Sequence, residues 1–96
     1  MTTTVVNRRK TLLRRTTFDI YIGRGGPWGN PFIIGPDGDR ADVIEKYRVW
    51  ITSDDRVAVA LRSNLHLLRG KRLVCWCAPA ACHGDVLAEL ADKEVT

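Results

Sequence analysis

The sequence has no apolar run approaching the roughly 20 residues that a spanning helix needs, which excludes an ordinary transmembrane segment. The first 17 residues, MTTTVVNRRKTLLRRTT, carry basic side chains but no apolar h-region, so they do not read as a secretory signal. We read the chain as cytoplasmic. Cysteine is scarce and odd in number, three in all, which argues against a disulfide framework in a reducing compartment. There are no internal repeats and no low-complexity tract. Several function classes are also excluded by what is missing. No G-x-G-x-x-G opens a helix, no glycine-rich loop ends in G-K-[ST], and no paired-carboxylate signature of glycoside hydrolysis is visible.

What is present is an ordinary globular balance, 45% hydrophobic and 27% charged over 96 residues, enough for one domain over residues 1–96 and no second core. So short a chain buries about two-thirds of its unfolded surface, and a homodimer or a bound ion would add support. The net charge of +4 is unevenly placed. Residues 1–24 hold six basic side chains, Arg8, Arg9, Lys10, Arg14, Arg15 and Arg24, against the single acid Asp19. The remainder holds nine basic and ten acidic side chains, so the whole excess is N-terminal. Such asymmetry suits an anionic partner, nucleic acid or nucleotide phosphate, and equally a solvated basic segment with no partner. No aromatic is interleaved between Arg8 and Arg15 to stack on bases.

Local patterns predict the elements. Thr2–Asn7 is β-branched and reads as a strand, with the basic stretch Arg8–Thr16 a loop or a helical turn. Phe18, Ile20 and Ile22 alternate with Asp19 and Tyr21, the period of a half-buried strand. "FIIGPDGDR" offers an apolar run suited to an edge strand, then a turn at Pro36-Asp37-Gly38. Asp39 is placed to cap a helix whose Val43, Ile44, Tyr47, Trp50 and Ile51 share a face. Asp54 is placed to cap a second helix running to Leu68, with Val57, Leu61, Leu65 and Leu68 inward. Gly70 fits a C-cap. "KRLVCWC" is an apolar strand, and "HGDVLAELADK" a helix burying Val86, Leu87, Leu90 and Ala91. His66 reads as a surface residue and Trp50 as core. The order β, β, loop, α, α, β, α implies a small α/β domain, a short and partly parallel sheet of three to four strands covered by about three helices. In such a sheet ligands gather at the carboxyl ends of the strands. Two unusual segments, "GRGGPWGNP" and "CAPAACHGD", each follow a strand and would open onto that edge.

Cys75, Cys77, Cys82 and His83 allow three readings. They are a Cys₃His complement for zinc, although C-x-C-x₄-C-H is not the usual pair of knuckles. Alternatively Cys82, at a helix start, is a nucleophile with His83 as base and Asp85 as orienter. In the third reading Cys75 and Cys77 are small core hydrophobes and Asp85 is a helix cap.

"GRGGPWGNPF" is a shaped loop. Gly23, Gly25 and Gly26 could offer backbone N–H groups to a phosphate, Arg24 neutralise it, Trp28 stack on a ring and Asn30 read a polar edge. The structural alternative is a rigid loop with Trp28 plugging the core and Asn30-Pro31 making a turn.

"VVN", "YIGRGGPWGNPF", "IEKYRVWI" and "LRGKRLVCWCAPAACHGDVLAEL" together resemble the DUF4326 family, a domain of bacteria and tailed bacteriophages, over a core of about residues 5–90. The resemblance implies a domain boundary and a bacterial-host setting, and no particular chemistry. The reading that follows is a small domain, phage-encoded or bacterial, that binds and could process a nucleotide-like or phosphorylated ligand. Its pocket would lie between loop 23–31 and helix start 82–85. Two alternatives stand beside it, a zinc-stabilised nucleic-acid-binding module and a phage protein that binds a host protein without catalysis.

Overall fold

A computed structural model describes residues 3–7, 19–76 and 80–93. Thr2, the basic stretch 8–16, Phe18 and Cys77 lie outside the described residues. Three strands, β1 (Thr4–Asn7), β2 (Asp19–Tyr21) and β3 (Arg72–Cys75), form a sheet in the order β1-β3-β2. Both pairings are parallel, Val5 opposite Leu73 on one side and Ile20 opposite Leu73 on the other. The sheet is therefore wholly parallel among the described residues. After Arg72 its central strand is apolar, Leu73, Val74 and Cys75 all being buried, as expected when both faces of a parallel strand are covered.

The helices are α1 (Arg40–Ile51), α2 (Arg56–Arg62) and α3 (His83–Lys93). Asp39 caps α1 with a full capping box: its carboxylate accepts from the Asp42 N–H, and the Asp42 carboxylate accepts from the Asp39 N–H, each at 2.9 Å. Val43, Tyr47 and Ile51 are buried on the predicted face, with Ile44 and Trp50 partly buried beside them.

The second helix differs from expectation in start, length and face. Asp55, not Asp54, is its cap, accepting from the N–H groups of Val57 and Ala58. Val57 faces outward at 58% exposure, and Ala58 takes the expected place in the stripe with Leu61, Leu65 and Leu68. The helix stops at Arg62 rather than reaching Leu68, and Leu65–Leu67 form a 3₁₀ turn. Ser63 Oγ donates to the Val59 carbonyl and Asn64 Nδ2 to that of Ala60, side-chain bonds that compete with helix continuation. Gly70 follows with φ +74°, the left-handed conformation that a chain reversal there requires.

The expected edge strand at "FII" is also absent. Asn30 Oδ1 accepts from the Phe32 N–H and Asp37 Oδ2 from the Ile33 N–H, so side chains take the donors a strand partner would need. An isolated Gly35–Gly38 bridge is the residue of that pattern, and it closes the turn read at Pro36-Asp37-Gly38.

α3 packs across β1 and β3, α1 against α3, and α2 against α1. Thr3 pins the start of β1 to the far end of α3: its hydroxyl donates to Asp92 at 2.6 Å and accepts from the Gly70 N–H at 2.9 Å. Arg72 and Asp19 form a two-point pair at the same amino-terminal edge, where β2 and β3 begin. Ile22, Tyr47, Ile51, Leu65, Leu68, Leu73 and Leu87 are the fully buried centre of the core. Within it, the Tyr47 hydroxyl donates to the Trp28 carbonyl at 2.9 Å. Burial pushes the phenol pKa well above its ordinary value, so it stays a donor. Replacing Tyr47 with Phe leaves a buried carbonyl without its donor, and we expect a loss of about 1–2 kcal/mol, read by urea denaturation as a lower midpoint at unchanged slope.

Candidate functional site

Because all three strands run the same way, their carboxyl ends share one edge, where the described segment after β2 meets the start of α3. Ile22, just past β2, donates its N–H to the Val74 carbonyl at 2.9 Å and so stays attached to the sheet. Its own carbonyl accepts from His83 Nε2 at 2.6 Å. A carbonyl can only accept, so Nε2 carries the proton of the neutral ring and Nδ1 is the acceptor nitrogen. The ring packs edge-on to Tyr47, centroids 5.0 Å apart.

The helix start is built by its neighbours. Cys82 immediately precedes α3; its Sγ accepts from the Gly84 N–H at 3.3 Å, and its N–H donates to the Asp85 carboxylate at 3.1 Å. Sulfur takes the place of the usual hydroxyl oxygen as an N-cap acceptor, holding the N2 N–H, and the N3 aspartate closes back on the N-cap N–H. Gly84 permits it. A Cβ there would lie 2.7 Å from Ile22 Cδ1 and 3.1 Å from Val5 Cγ1, inside a core with no space to yield. Cys75, at the end of β3, places its Sγ 3.2 Å from that of Cys82, and both are buried, reduced thiols.

These segments enclose a cavity of about 300 Å³ on the carboxyl edge. Its wall is largely apolar, from Phe32, Ile34, Val43 and Ile44, with Cys75, Cys82 and His83 at the sheet end. Tyr21 and Trp76 add aromatic surface, Trp76 being 52% exposed. Two guanidiniums line it. Arg24 donates to the carbonyls of Asn30 and Phe32 at 3.3 and 3.5 Å, and Arg40 to that of Ala81 at 3.0 Å.

Of the residues singled out in the sequence, Gly23, Arg24, Asn30, Cys82 and His83 come together on this cavity. Others do not. Trp28 is 7% exposed and belongs to the core, the structural alternative weighed for it. Gly25 and Gly26 are outside the lining, and the Gly26 N–H donates to the Gly23 carbonyl, which closes the loop on itself. Asn30 touches the cavity, yet its amide is committed on both sides, accepting from Phe32 N–H and donating to the Val43 carbonyl. Asp85 caps the helix start through the Cys82 N–H.

Among the described residues no group of three or more Cys, His, Asp or Glu side chains is placed to hold a metal ion. Cys77, the fourth member of the zinc set, is outside them, as are Arg8, Arg9, Lys10, Arg14 and Arg15. No helix among them is long and apolar enough to cross a membrane.

Sequence reasoning missed Arg40, Tyr21 and Trp76. Arg40 had one signal, its position directly after the Asp39 cap, where an arginine gains nothing from the helix dipole. Tyr21 is the last residue of β2 and Trp76 immediately follows β3, so strand-end position was the available signal for them.

Fold and site thus describe a small α/β domain with a parallel sheet and an edge cavity rimmed by arginines. The model of a domain of unknown function, DUF4326, matches residues 5–93. The chain belongs to the DUF4326 family. It is 36% identical over 90 residues to an uncharacterized 12.4 kDa protein in the nrdA-td intergenic region of Enterobacteria phage T4, the match covering 93% of this chain and 77% of that protein. No solved structure matches.

Burial lowers the His83 pKa; the Arg24 charge acts in the same direction, while the bond to Ile22 and the Asp85 charge oppose it. Tyr47, which also faces it, carries no charge there as a phenol. The unfolded chain therefore binds the proton more readily, with an ordinary value of about 6.5. The stabilisation from neutral His83 is complete above that value and is lost as pH falls through the lower folded pKa. We expect the melting temperature to fall on acidification from pH 7 to 5, and to fall less steeply in His83→Gln. Parallel curves would remove His83 from the pH dependence.

Proposed function

We propose that this domain binds a small phosphorylated ligand with a planar ring, of mononucleotide size, in the edge cavity. The observation that carries the reading is the pairing of two guanidiniums, Arg24 and Arg40, on the wall of an otherwise apolar cavity of about 300 Å³. That volume is at the lower end of small-molecule pockets, so a mononucleotide or sugar phosphate suits it better than a dinucleotide. The guanidiniums bond to carbonyls and pair with no carboxylate among the described residues, so each keeps N–H groups for an anion. Tyr21, Phe32 and the half-exposed Trp76 supply faces for a base or other ring. His83 Nδ1 is an acceptor for a ligand N–H or O–H, and is the group suited to proton transfer if the ligand is processed.

Titration with AMP, CMP, GMP, UMP and ribose 5-phosphate, followed by tryptophan fluorescence and calorimetry, tests this. We expect saturable binding by at least one, weakened about 3-fold or more in Arg24→Ala and in Arg40→Ala, as loss of one exposed ion pair of about 0.6–1 kcal/mol implies, with melting temperatures near that of the parent. Absence of saturation by every one of these ligands would sink the reading.

A further inference from the structure

Two buried thiols facing the same small cavity are more than packing, because neither helix nor strand requires sulfur at its position. Cys82 Sγ holds the Gly84 N–H, a part that a serine hydroxyl would fill more strongly. Cys75 ends a strand where any small apolar side chain would pack. Yet their sulfurs are 3.2 Å apart and both line the cavity. A disulfide bond is about 2.05 Å long, so closure asks for a movement of about an ångström, within reach of small χ1 rotations. A small oxidant has access from the cavity although little of either side chain reaches bulk solvent.

We propose that Cys75 and Cys82 form a redox-active dithiol site whose substrate is a small hydroperoxide. In the first step Cys82 Sγ attacks the terminal peroxide oxygen; the S–O bond forms, the O–O bond breaks, and the alcohol or water leaves with the thiol proton. Cys82 is thereby oxidised to a sulfenic acid. In the second step Cys75 Sγ attacks Cys82 Sγ, the S–O bond breaks, and the hydroxyl leaves as water with the Cys75 proton. Two thiols and one hydroperoxide give one disulfide, one alcohol and one water. Cys82 takes the first step because its sulfur accepts an N–H bond at a helix N-terminus, whereas Cys75 is placed to resolve it. The site stands on the two sulfurs and their cavity, independently of any phosphorylated ligand.

The experiment uses the full chain carrying Cys77→Ser, which leaves these two thiols alone. It is treated with a slight excess of hydrogen peroxide. We expect a monomer that loses both maleimide-reactive thiols when unfolded. The tryptic segment 73–93, which contains both cysteines and no internal cleavage site, should be lighter by two hydrogen masses, and dithiothreitol should restore it. With Cys75→Ser added, oxidation should stop at sulfenic acid on Cys82, trapped by dimedone. If that variant does not fold, the loss of two hydrogens in the Cys77→Ser chain still decides the matter. Two thiols that stay reactive, or a disulfide-linked dimer in place of the intramolecular bond, would overturn the proposal.

Discussion

The hydrogen bond from His83 Nε2 to the Ile22 carbonyl organises the functional end of this domain. Ile22 is held to β3 through its own N–H and fills the core with its side chain, so its carbonyl is a fixed point just beyond the sheet. Attaching the first residue of α3 to that point sets where the helix begins, and the helix then runs back across β1 and β3. A buried imidazole with an unmatched donor would cost several times a net hydrogen bond, so the bond is obligatory once the ring is inside. The missing Cβ of Gly84 is the steric half of the same arrangement, since it lets the first turn lie against Ile22 and Val5. The cavity exists because this junction holds the helix start beside the strand ends and not over them.

The glycine loop answers to the same junction by a different means. It resembles a phosphate-binding turn in composition, but two of its N–H groups are already used: Gly26 and Gly29 donate to carbonyls of the loop itself. Trp28 anchors it below through the bond from Tyr47, and Asn30 ties it to α1. The loop is thus a rigid bracket for Arg24 more than a cradle of backbone donors. Any anion recognition here falls to side-chain guanidiniums, which favour planar, two-point acceptors over a loosely enclosed phosphate.

What the sequence made legible was what local chemistry decides. Alternation in Ile20 and Ile22, the Asp39 capping box, the Gly70 turn and the amphipathic face of α3 all follow from neighbours within a few residues. Parallel pairing was reachable too, because two helices between β2 and β3 leave room for a crossover. The failures have separate causes. The cap falls on Asp55 rather than Asp54, and aspartates in tandem give no local basis for choosing; Val57 faces outward because tertiary packing takes Ala58 instead. The strand expected at "FII" gave way to local side-chain bonds from Asn30 and Asp37, two and four residues away, which the apolar run outweighs in a reading by periodicity. Arg40 reaches a carbonyl 41 residues away, at Ala81, and nothing short of the tertiary fold could pair them.

The two arginines also indicate how the parts of the cavity would divide the work of recognition. Both guanidiniums are exposed, so solvent and salt screen them, and an anion at the rim gains modest affinity from each. Their larger effect is on encounter and orientation, since two like charges on one lining attract an anion and fix which end of it faces outward. Affinity must then come from the apolar wall, where Phe32, Ile34, Val43 and Ile44 offer surface that a phosphate alone cannot cover. A ligand that is all charge would meet the rim and leave; one that is all ring would enter in either direction. Only a molecule with an anionic end and a flat apolar body uses both features at once, with Nδ1 of His83 left to select which edge of that body carries a donor.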